Sequence, residues 1–153
     1  MIEIAKFILE TFKPKKVVEV GIGNFPDIAI ILSKHCKVVA TDVRKTEVPR
    51  GIEFHLDDIT RPYIRIYKNA DLIYSVRPPV SLVPYIAKVA RKVNADMLIL
   101  PFKTDYLPVR LDFQYNYLIN IRRLHLYLFS NKKLELSSKL TFKALQPYDF
   151  ESY

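Results

Sequence analysis

A Gly-x-Gly turn, placed between a short β-branched run and an apolar helix pattern, constrains the fold of this chain most. Residues 17–20 enter Gly21-Ile22-Gly23, and a second β-branched run at 38–40 is soon followed by Asp42. In nucleotide-binding α/β folds, such glycines let the backbone approach the ligand, and a carboxylate after the second strand accepts hydrogen bonds from ribose hydroxyls. Asp42 follows Gly21 by 21 residues, which fits that motif. The sequence therefore predicts a nucleotide-binding crevice at this turn.

Helical and strand patterns alternate along the first two thirds of the chain. The predicted helices are 2–12, 26–35 and 81–93, the last capped by Ser81, with a short helix near 64–67. The predicted strands are 16–20, 37–41, 52–56, 70–76 and 97–100. This alternation favours a parallel sheet with right-handed crossovers. We therefore expect a Rossmann-like α/β sandwich of three layers, with a parallel core over residues 1–102.

The pattern changes beyond about residue 103. The expected elements are an antiparallel hairpin of 118–121 and 124–129 at the sheet edge, turning at Arg122-Arg123, a further strand near 140–144 and a loose tail from Pro147. A length of 153 residues suits one domain with a proper core. We expect a single domain over 1–153, with 103–153 contributing the hairpin and the tail.

The residues around the glycines distinguish between nucleotide ligands. A nicotinamide fingerprint requires a third glycine where this chain has Pro26, so that class is disfavoured. Glu19, two residues before Gly21, makes the segment similar to motif I of S-adenosylmethionine (SAM) methyltransferases, acidic-x-Gly-x-Gly-x-Gly. Phe25 stands at the third glycine of that form. The alternative for Glu19 is a structural role at a strand end, paired because a buried carboxylate is otherwise costly.

Three segments together resemble a small archaeal family catalogued as an uncharacterised protein family. They are residues 17–23, residues Asp57-Asp58-Ile59-Thr60 and residues Ile73-Tyr74-Ser75-Val76-Arg77-Pro78-Pro79. The resemblance covers about residues 16–102 and continues loosely to Tyr127. It implies a Rossmann-like, SAM-methyltransferase-like fold with strand order 3-2-1-4-5, extended by a C-terminal hairpin. It carries no established activity.

The wider methyltransferase pattern implies roles for individual residues. The loop facing the methionine part of SAM would comprise Glu19, Gly21 and Gly23. Asp42 would hold the ribose hydroxyls, and Asp58, with Asp57, would lie near the adenine amino group. The alternative for this Asp pair is a turn and helix cap, since Asp is favoured there for backbone reasons alone.

Arg77-Pro78-Pro79 ends the predicted fourth strand, where ligands meet an open α/β sheet. The segment is similar to the Asn/Asp-Pro-Pro-aromatic motif of amino-group methyltransferases, with Arg77 in place of the acceptor residue. Arginine has donors and no acceptor, so it would clamp a phosphate or carboxylate rather than orient an amine. Candidate catalytic residues are therefore Arg77, Pro78 and Tyr74. The alternative is that the prolines merely end the strand and Arg77 faces solvent.

Positive charge is concentrated in the second part of the chain. Residues 1–60 hold nine Lys or Arg and nine Asp or Glu, whereas residues 61–153 hold fifteen and seven, which accounts for the net charge of +8. This favours an anionic partner, with RNA ahead of an anionic small molecule, at Arg61, Arg65, Arg77, Arg122 and Arg123. Aromatic residues at 106–117, namely Tyr106, Phe113, Tyr115 and Tyr117, with Arg110, would stack on RNA or belong to the core. The alternative is a basic surface without a partner.

Other function classes find no support in the sequence. No apolar run reaches the ~18 residues of a membrane helix, and no secretory pattern opens the chain. The lone Cys36 favours a reducing cytoplasm, the separated histidines offer no metal-ligand spacing, and the residue usage hints at a thermophile. Two hypotheses remain: a SAM-binding, methyltransferase-like protein, or a non-catalytic nucleotide- or RNA-binding module that has lost the cofactor.

Overall fold

The computed structural model describes residues 1–23, 25–102, 107 and 111–145. The elements are α1 (Ile2–Phe12), β1 (Lys16–Val20), α2 (Asp27–Ser33), β2 (Lys37–Asp42), β3 (Ile52–Leu56), β4 (Leu72–Val76), α3 (Val83–Val93), β5 (Asp96–Leu100), β6 (Tyr115–Ile121), β7 (Leu124–Ser130) and β8 (Thr141–Ala144). Short 3-10 turns at Ile64–Ile66 and Val80–Leu82 precede β4 and α3. The predicted helices and strands are confirmed, with ends that differ by a few residues.

The described strands form one sheet in the order β3-β2-β1-β4-β5-β7-β6-β8. Strands β1 to β5 are parallel, so the predicted order 3-2-1-4-5 is confirmed. From β1 the chain moves outward to β2 and β3, and it then crosses to β4 on the other side of β1. This reversal opens a crevice beyond the carboxyl ends of β1 and β4, where ligands bind in open α/β sheets.

Helices cover both faces of the parallel strands. Helices α1 and α2 pack on one face through Ile4, Ile8 and Leu32, and α3 packs on the other through Ile86 and Ala90. Every residue of β5 is buried, as expected for a strand covered on both sides. The three-layer Rossmann-like sandwich is therefore confirmed.

The C-terminal hairpin extends the sheet in the antiparallel sense. Strand β7 pairs with β5, placing Tyr127 opposite Ile99. Strand β6 pairs with β7 through a two-residue turn whose first residue, Arg122, has a φ of 53°. Strand β8 pairs with β6, so the predicted further strand is confirmed and lies outside the hairpin. The predicted tail from Pro147 lies outside the described residues.

The start of α3 differs from the expectation that Ser81 caps a helix. The chain instead makes a 3-10 turn, with the Leu82 N–H donating to the Pro79 carbonyl at 2.9 Å, and α3 begins at Val83 without a side-chain cap. Pro84 is the second helical residue, where a missing N–H costs no helical hydrogen bond. Helix α3 thus begins two residues later than the predicted residue 81, at a start that accommodates Pro84.

Candidate active site

A cleft of about 930 Å³ opens at the carboxyl ends of the first four parallel strands. Its walls are residues 20–23 and Pro26 after β1, residues 41–49 after β2, Asp57 and Ile59 after β3, and Pro79 and Leu82 after β4. The cleft therefore lies at the crevice that the glycines and Asp42 predicted.

The turn at residues 21–23, here called the glycine turn, forms the floor of the cleft. The N–H groups of Gly21 and Ile22 both donate to the Thr41 carbonyl, at 2.8 and 3.1 Å, which fastens the end of β1 to β2. Gly21 and Gly23 have φ values of 71° and 54°, a region that other residues rarely adopt. A Cβ added to Gly21 would have no atom within 4 Å, so it would stand in open space. The turn thus leaves room for a ligand at its backbone.

Asp42 is held firmly at the side of the glycine turn. Its Oδ2 accepts a hydrogen bond from the Gly23 N–H at 2.9 Å, and its Oδ1 accepts one from the Arg44 N–H at 3.1 Å. A carboxylate has about four acceptor positions, so two remain for a ligand. Asp42 is therefore both a clamp on the turn and an acceptor fixed at the cleft wall.

The structure separates the neighbouring residues Asp57 and Asp58. Asp57 lines the cleft and accepts hydrogen bonds from the Tyr63 N–H at 3.0 Å and from the Tyr67 hydroxyl at 2.6 Å. Asp58 accepts from the N–H and the hydroxyl of Thr60, and these bonds hold the pKa of its carboxyl below the ordinary value. Asp58 is not among the residues that line the cleft. It forms the turn that the alternative interpretation expected.

Glu19 and Tyr74 form a buried pair beneath the glycine turn. Each is 1% exposed, and the Tyr74 hydroxyl donates to Glu19 Oε1 at 2.6 Å. Glu19 Oε2 is also buried and has no hydrogen-bond partner among the described residues. Burial raises the pKa of the Glu19 carboxyl to about 8, against the opposing effect of the Tyr74 hydrogen bond. Glu19 is therefore mostly neutral at pH 7, and neither side chain of the pair lines the cleft.

Arg77 directly follows β4 and has an unusual backbone conformation. Its φ is 51°, its N–H donates to the Leu100 carbonyl at 2.6 Å, and its guanidinium carbon lies 5.8 Å from the centre of the Phe102 ring. The next residue, Pro78, is buried, and Pro79 lines the cleft. Arg77 is exposed, and its guanidinium lies over the Phe102 ring and not in the lining of the cleft.

The remaining predicted arginines are exposed and dispersed. Arg61 and Arg65 follow β3, whereas Arg122 and Arg123 form the hairpin turn, where Arg122 Nε lies 3.2 Å from Glu3 Oε1. None of the five arginines lines the cleft.

Of the aromatic residues considered for stacking on RNA, Phe113 and Tyr117 are buried. They therefore belong to the core, which was the alternative to stacking on RNA. Tyr106 and Arg110 lie outside the described residues.

One part of the cleft wall was not predicted from the sequence. Residues 43–49 form one side, including exposed Val43 and the cationic residues Arg44 and Lys45. The available signal was their position directly after Asp42, where the segment between β2 and β3 must pass the glycine turn.

Within the described ranges, no cluster of three or more His, Cys, Asp or Glu side chains suits a metal ion. No described helix is long and apolar enough to span a membrane.

The family of the chain follows from sequence comparison. A model of the Uncharacterised protein family (UPF0146) matches residues 1–128. The chain belongs to the UPF0146 family. A UPF0146 protein of Archaeoglobus fulgidus is 46% identical over 112 residues, covering 72% of this chain and 85% of the relative. A UPF0146 protein of Methanocaldococcus jannaschii is 38% identical over 114 residues, covering 72% and 82%.

Solved structures show the same fold in methyltransferases. A Streptococcus mutans protein in complex with S-adenosylhomocysteine (SAH) covers 83% of this UPF0146 chain and 94% of its own, with a TM-score of 0.53. The bifunctional kinase-methyltransferase WbdD has a TM-score of 0.62 over 91% of this chain and 41% of its own. Both are 16% identical in sequence. At that identity the similarity shows the fold, which is methyltransferase-like.

Proposed function

We propose that this protein binds SAM, and its demethylated product SAH, in the cleft and transfers the methyl group to an anionic acceptor. The observation that carries the proposal is the hydrogen bond from the Gly23 N–H to Asp42, which joins the glycine turn to the carboxylate at the end of β2. The motif requires both the glycine turn and this carboxylate, and the hydrogen bond joins them in one unit. The methyltransferase-like fold and the place of the cleft support the same proposal.

The cleft residues suit the parts of SAM. The open space at Gly21 leaves room for the methionine part of SAM. The two spare acceptor positions of Asp42 suit the ribose hydroxyls. Val43 and Ile59 give apolar surface for the adenine ring, and Asp57 lies on the same wall. When bound, SAM supplies a methyl group on a positively charged sulfur that a nucleophile can attack.

The rim residues indicate the kind of acceptor. Pro79 and Leu82 form the wall that follows β4, and Arg77 stands directly before them. A guanidinium donates hydrogen bonds and accepts none, so Arg77 suits a phosphate or carboxylate on the acceptor molecule. It does not suit the lone-pair orientation of an amine. An anionic acceptor therefore fits this rim best.

A second candidate is a non-catalytic module that keeps the fold without the cofactor. Two observations favour it: Phe25, at the third glycine position of the motif, is 70% exposed, and both oxygens of Asp42 already bind the chain. A module of this kind would show no SAH binding in the cleft. Binding of SAH therefore separates the two candidates.

The experiment is calorimetric titration of the protein with SAH, using a matched pair of glycine variants. Gly21→Ala places a methyl group in the cleft and should abolish binding. Gly51→Ala makes a similar backbone change at a φ of 95°, where the new Cβ meets only Ser33 and lies away from the cleft, so it should retain binding. Asp42→Asn should weaken binding by about 10- to 150-fold, the value of a hydrogen bond to a charged group.

Each outcome has a clear meaning for the two candidates. Binding by the wild type and by Gly51→Ala, with loss in Gly21→Ala, supports the proposed function. Absence of heat from the wild type at millimolar SAH would favour the module. Equal binding by Gly21→Ala and the wild type would remove the glycine turn from the site.

A further inference from the structure

Large apolar side chains are exposed along the edge of the sheet that holds the cleft. Four of them lie at or beyond the carboxyl ends of parallel strands. Phe25 follows β1, Leu56 is the last residue of β3, Tyr63 lies in the segment after β3, and Phe102 follows β5. Their exposed fractions lie between 48% and 70%. Together with Arg61 and Arg77 we call these residues the carboxyl rim. Three of the four apolar side chains are aromatic rings, the kind of surface on which unpaired bases stack.

One cation of the carboxyl rim lies apart from the acidic groups of this edge. After β2 and β3 the cations do not outnumber the carboxylates, because Arg44, Lys45 and Arg61 are accompanied by Asp42, Glu47, Asp57 and Asp58. Arg77 is exposed, and it is the only charged side chain among residues 77–82 after β4 and residues 101–102 after β5. This end of the rim therefore presents a cation to an anionic group of a partner.

The pair of Arg77 and Phe102 shows how such a partner would be held. The guanidinium lies 5.8 Å from the ring centre, and Phe102 remains 48% exposed, so its ring has free surface. Arg77 adopts a φ of 51°, which costs free energy in a residue other than glycine, Asn or Asp. Backbone strain clusters at functional sites. A base stacked on Phe102 would bring its phosphate to Arg77.

We propose that the acceptor is an unpaired RNA strand bound along the carboxyl rim. This inference rests on the proposed function, because it names the substrate class of the same cleft. Aromatic rings stack only on bases that are not paired in a helix, so the exposed rings favour a single strand over a duplex. From β3 to β5 the rim spans four strand intervals, or ~19 Å at ~4.8 Å each, which is several nucleotides and more than one small metabolite.

The test measures the affinity of the wild type and of two matched pairs of variants for a labelled single-stranded RNA of about 12 nucleotides. Fluorescence anisotropy is recorded at about 50 and 200 mM salt. Phe102→Ala should weaken binding by about 5- to 150-fold, the range for loss of one stacked base. Its control is Phe142→Ala, a change to a ring that is 44% exposed on β8.

Arg77→Ala should weaken binding and reduce the slope of log affinity against log salt by about 0.7, the value for one phosphate contact on a single strand. Its control is Arg91→Ala, because Arg91 also lies 5.8 Å from a phenylalanine ring, that of Phe113, but belongs to the last turn of α3. Both controls should bind as the wild type does. Circular dichroism confirms that each variant is folded.

The outcomes separate this inference from the proposed function. Tight SAH binding without RNA binding at low salt would overturn the RNA assignment and leave the proposed function standing. RNA binding without SAH binding would support the rim and overturn the proposed function. Equal affinity for a DNA strand, for an RNA duplex or for an acidic polypeptide would overturn the assignment to unpaired RNA, as would equal losses in Phe102→Ala and Phe142→Ala.

Discussion

Replacing Glu19 with glutamine should remove a large pH dependence of stability. Burial raises the pKa of the Glu19 carboxyl from an ordinary value of 4.5 to about 8 in the folded protein. Between these values the folded state holds a proton that the unfolded state lacks, so the free energy of unfolding of the wild type falls as pH rises. The slope approaches ~1.4 kcal/mol per pH unit and is smaller at both ends, where one of the two states is half protonated, so this loss amounts to about 4 kcal/mol. The side-chain amide of the Glu19→Gln variant stays neutral, so the variant does not show this loss.

The measurement is guanidinium unfolding of the wild type and of Glu19→Gln at several pH values from 4.5 to about 8. We expect the stability of the variant relative to the wild type to grow by about 4 kcal/mol over this range. The control is Glu53→Gln. The pKa of the exposed Glu53 carboxyl is lowered, chiefly by its hydrogen bond with His55, so any pH dependence that this carboxyl contributes lies at the acidic end of the range and has the opposite sign to that of Glu19. A relative stability of Glu19→Gln that does not change with pH would refute the reasoning.

Two further substitutions test hydrogen bonds near the cleft. Tyr67→Phe removes the donor to Asp57 Oδ2 and should cost about 2 kcal/mol of unfolding free energy, whereas Tyr63→Phe should cost little because Tyr63 binds Asp57 through its backbone N–H. Ser75→Ala removes the buried bond from the Ser75 hydroxyl to the Val20 carbonyl, 2.7 Å long, and should cost about 1–2 kcal/mol. Guanidinium unfolding measures both, and a cost below ~0.5 kcal/mol would show that the bond contributes no net stability.

Much of the fold was predictable because its signals are local. The period of apolar residues distinguishes helices from strands, and regular alternation of the two requires parallel strands. Gly21 and Gly23 were identifiable because the turn needs positive φ values, which the structure has. Asp42 was identifiable because its position at the end of β2 depends only on the length of one strand–helix–strand unit.

The start of α3 and the hairpin illustrate the limits of local signals. Ser81 is a favoured capping residue, but it lies inside a 3-10 turn, and the helix begins at Val83 without a side-chain cap. The hairpin strands were recognisable from their alternation, whereas their place beside β5 depends on pairing between residues about 30 positions apart. Local sequence therefore identified the elements more reliably than their partners.

The surroundings of the site residues were decided by the tertiary structure. Glu19 meets Tyr74 because β1 and β4 pair in a register that places these two residues opposite each other, 55 positions apart in the chain. The same pairing buries both side chains, so the carboxyl that the motif directed toward SAM lies beneath the turn instead of in the cleft wall.

Neighbouring residues can have opposite surroundings for the same reason. Asp57 lines the cleft while Asp58 closes its own turn, and Arg77 meets Phe102 only because β4 and β5 end side by side.

The sequence by itself determined the order of the elements and the positions that must be glycine, because these depend on local backbone preferences. Which face each side chain occupies depends on strand register, and a shift of one residue would reverse it. That register is set by packing across the whole sheet, so only the tertiary structure decided it.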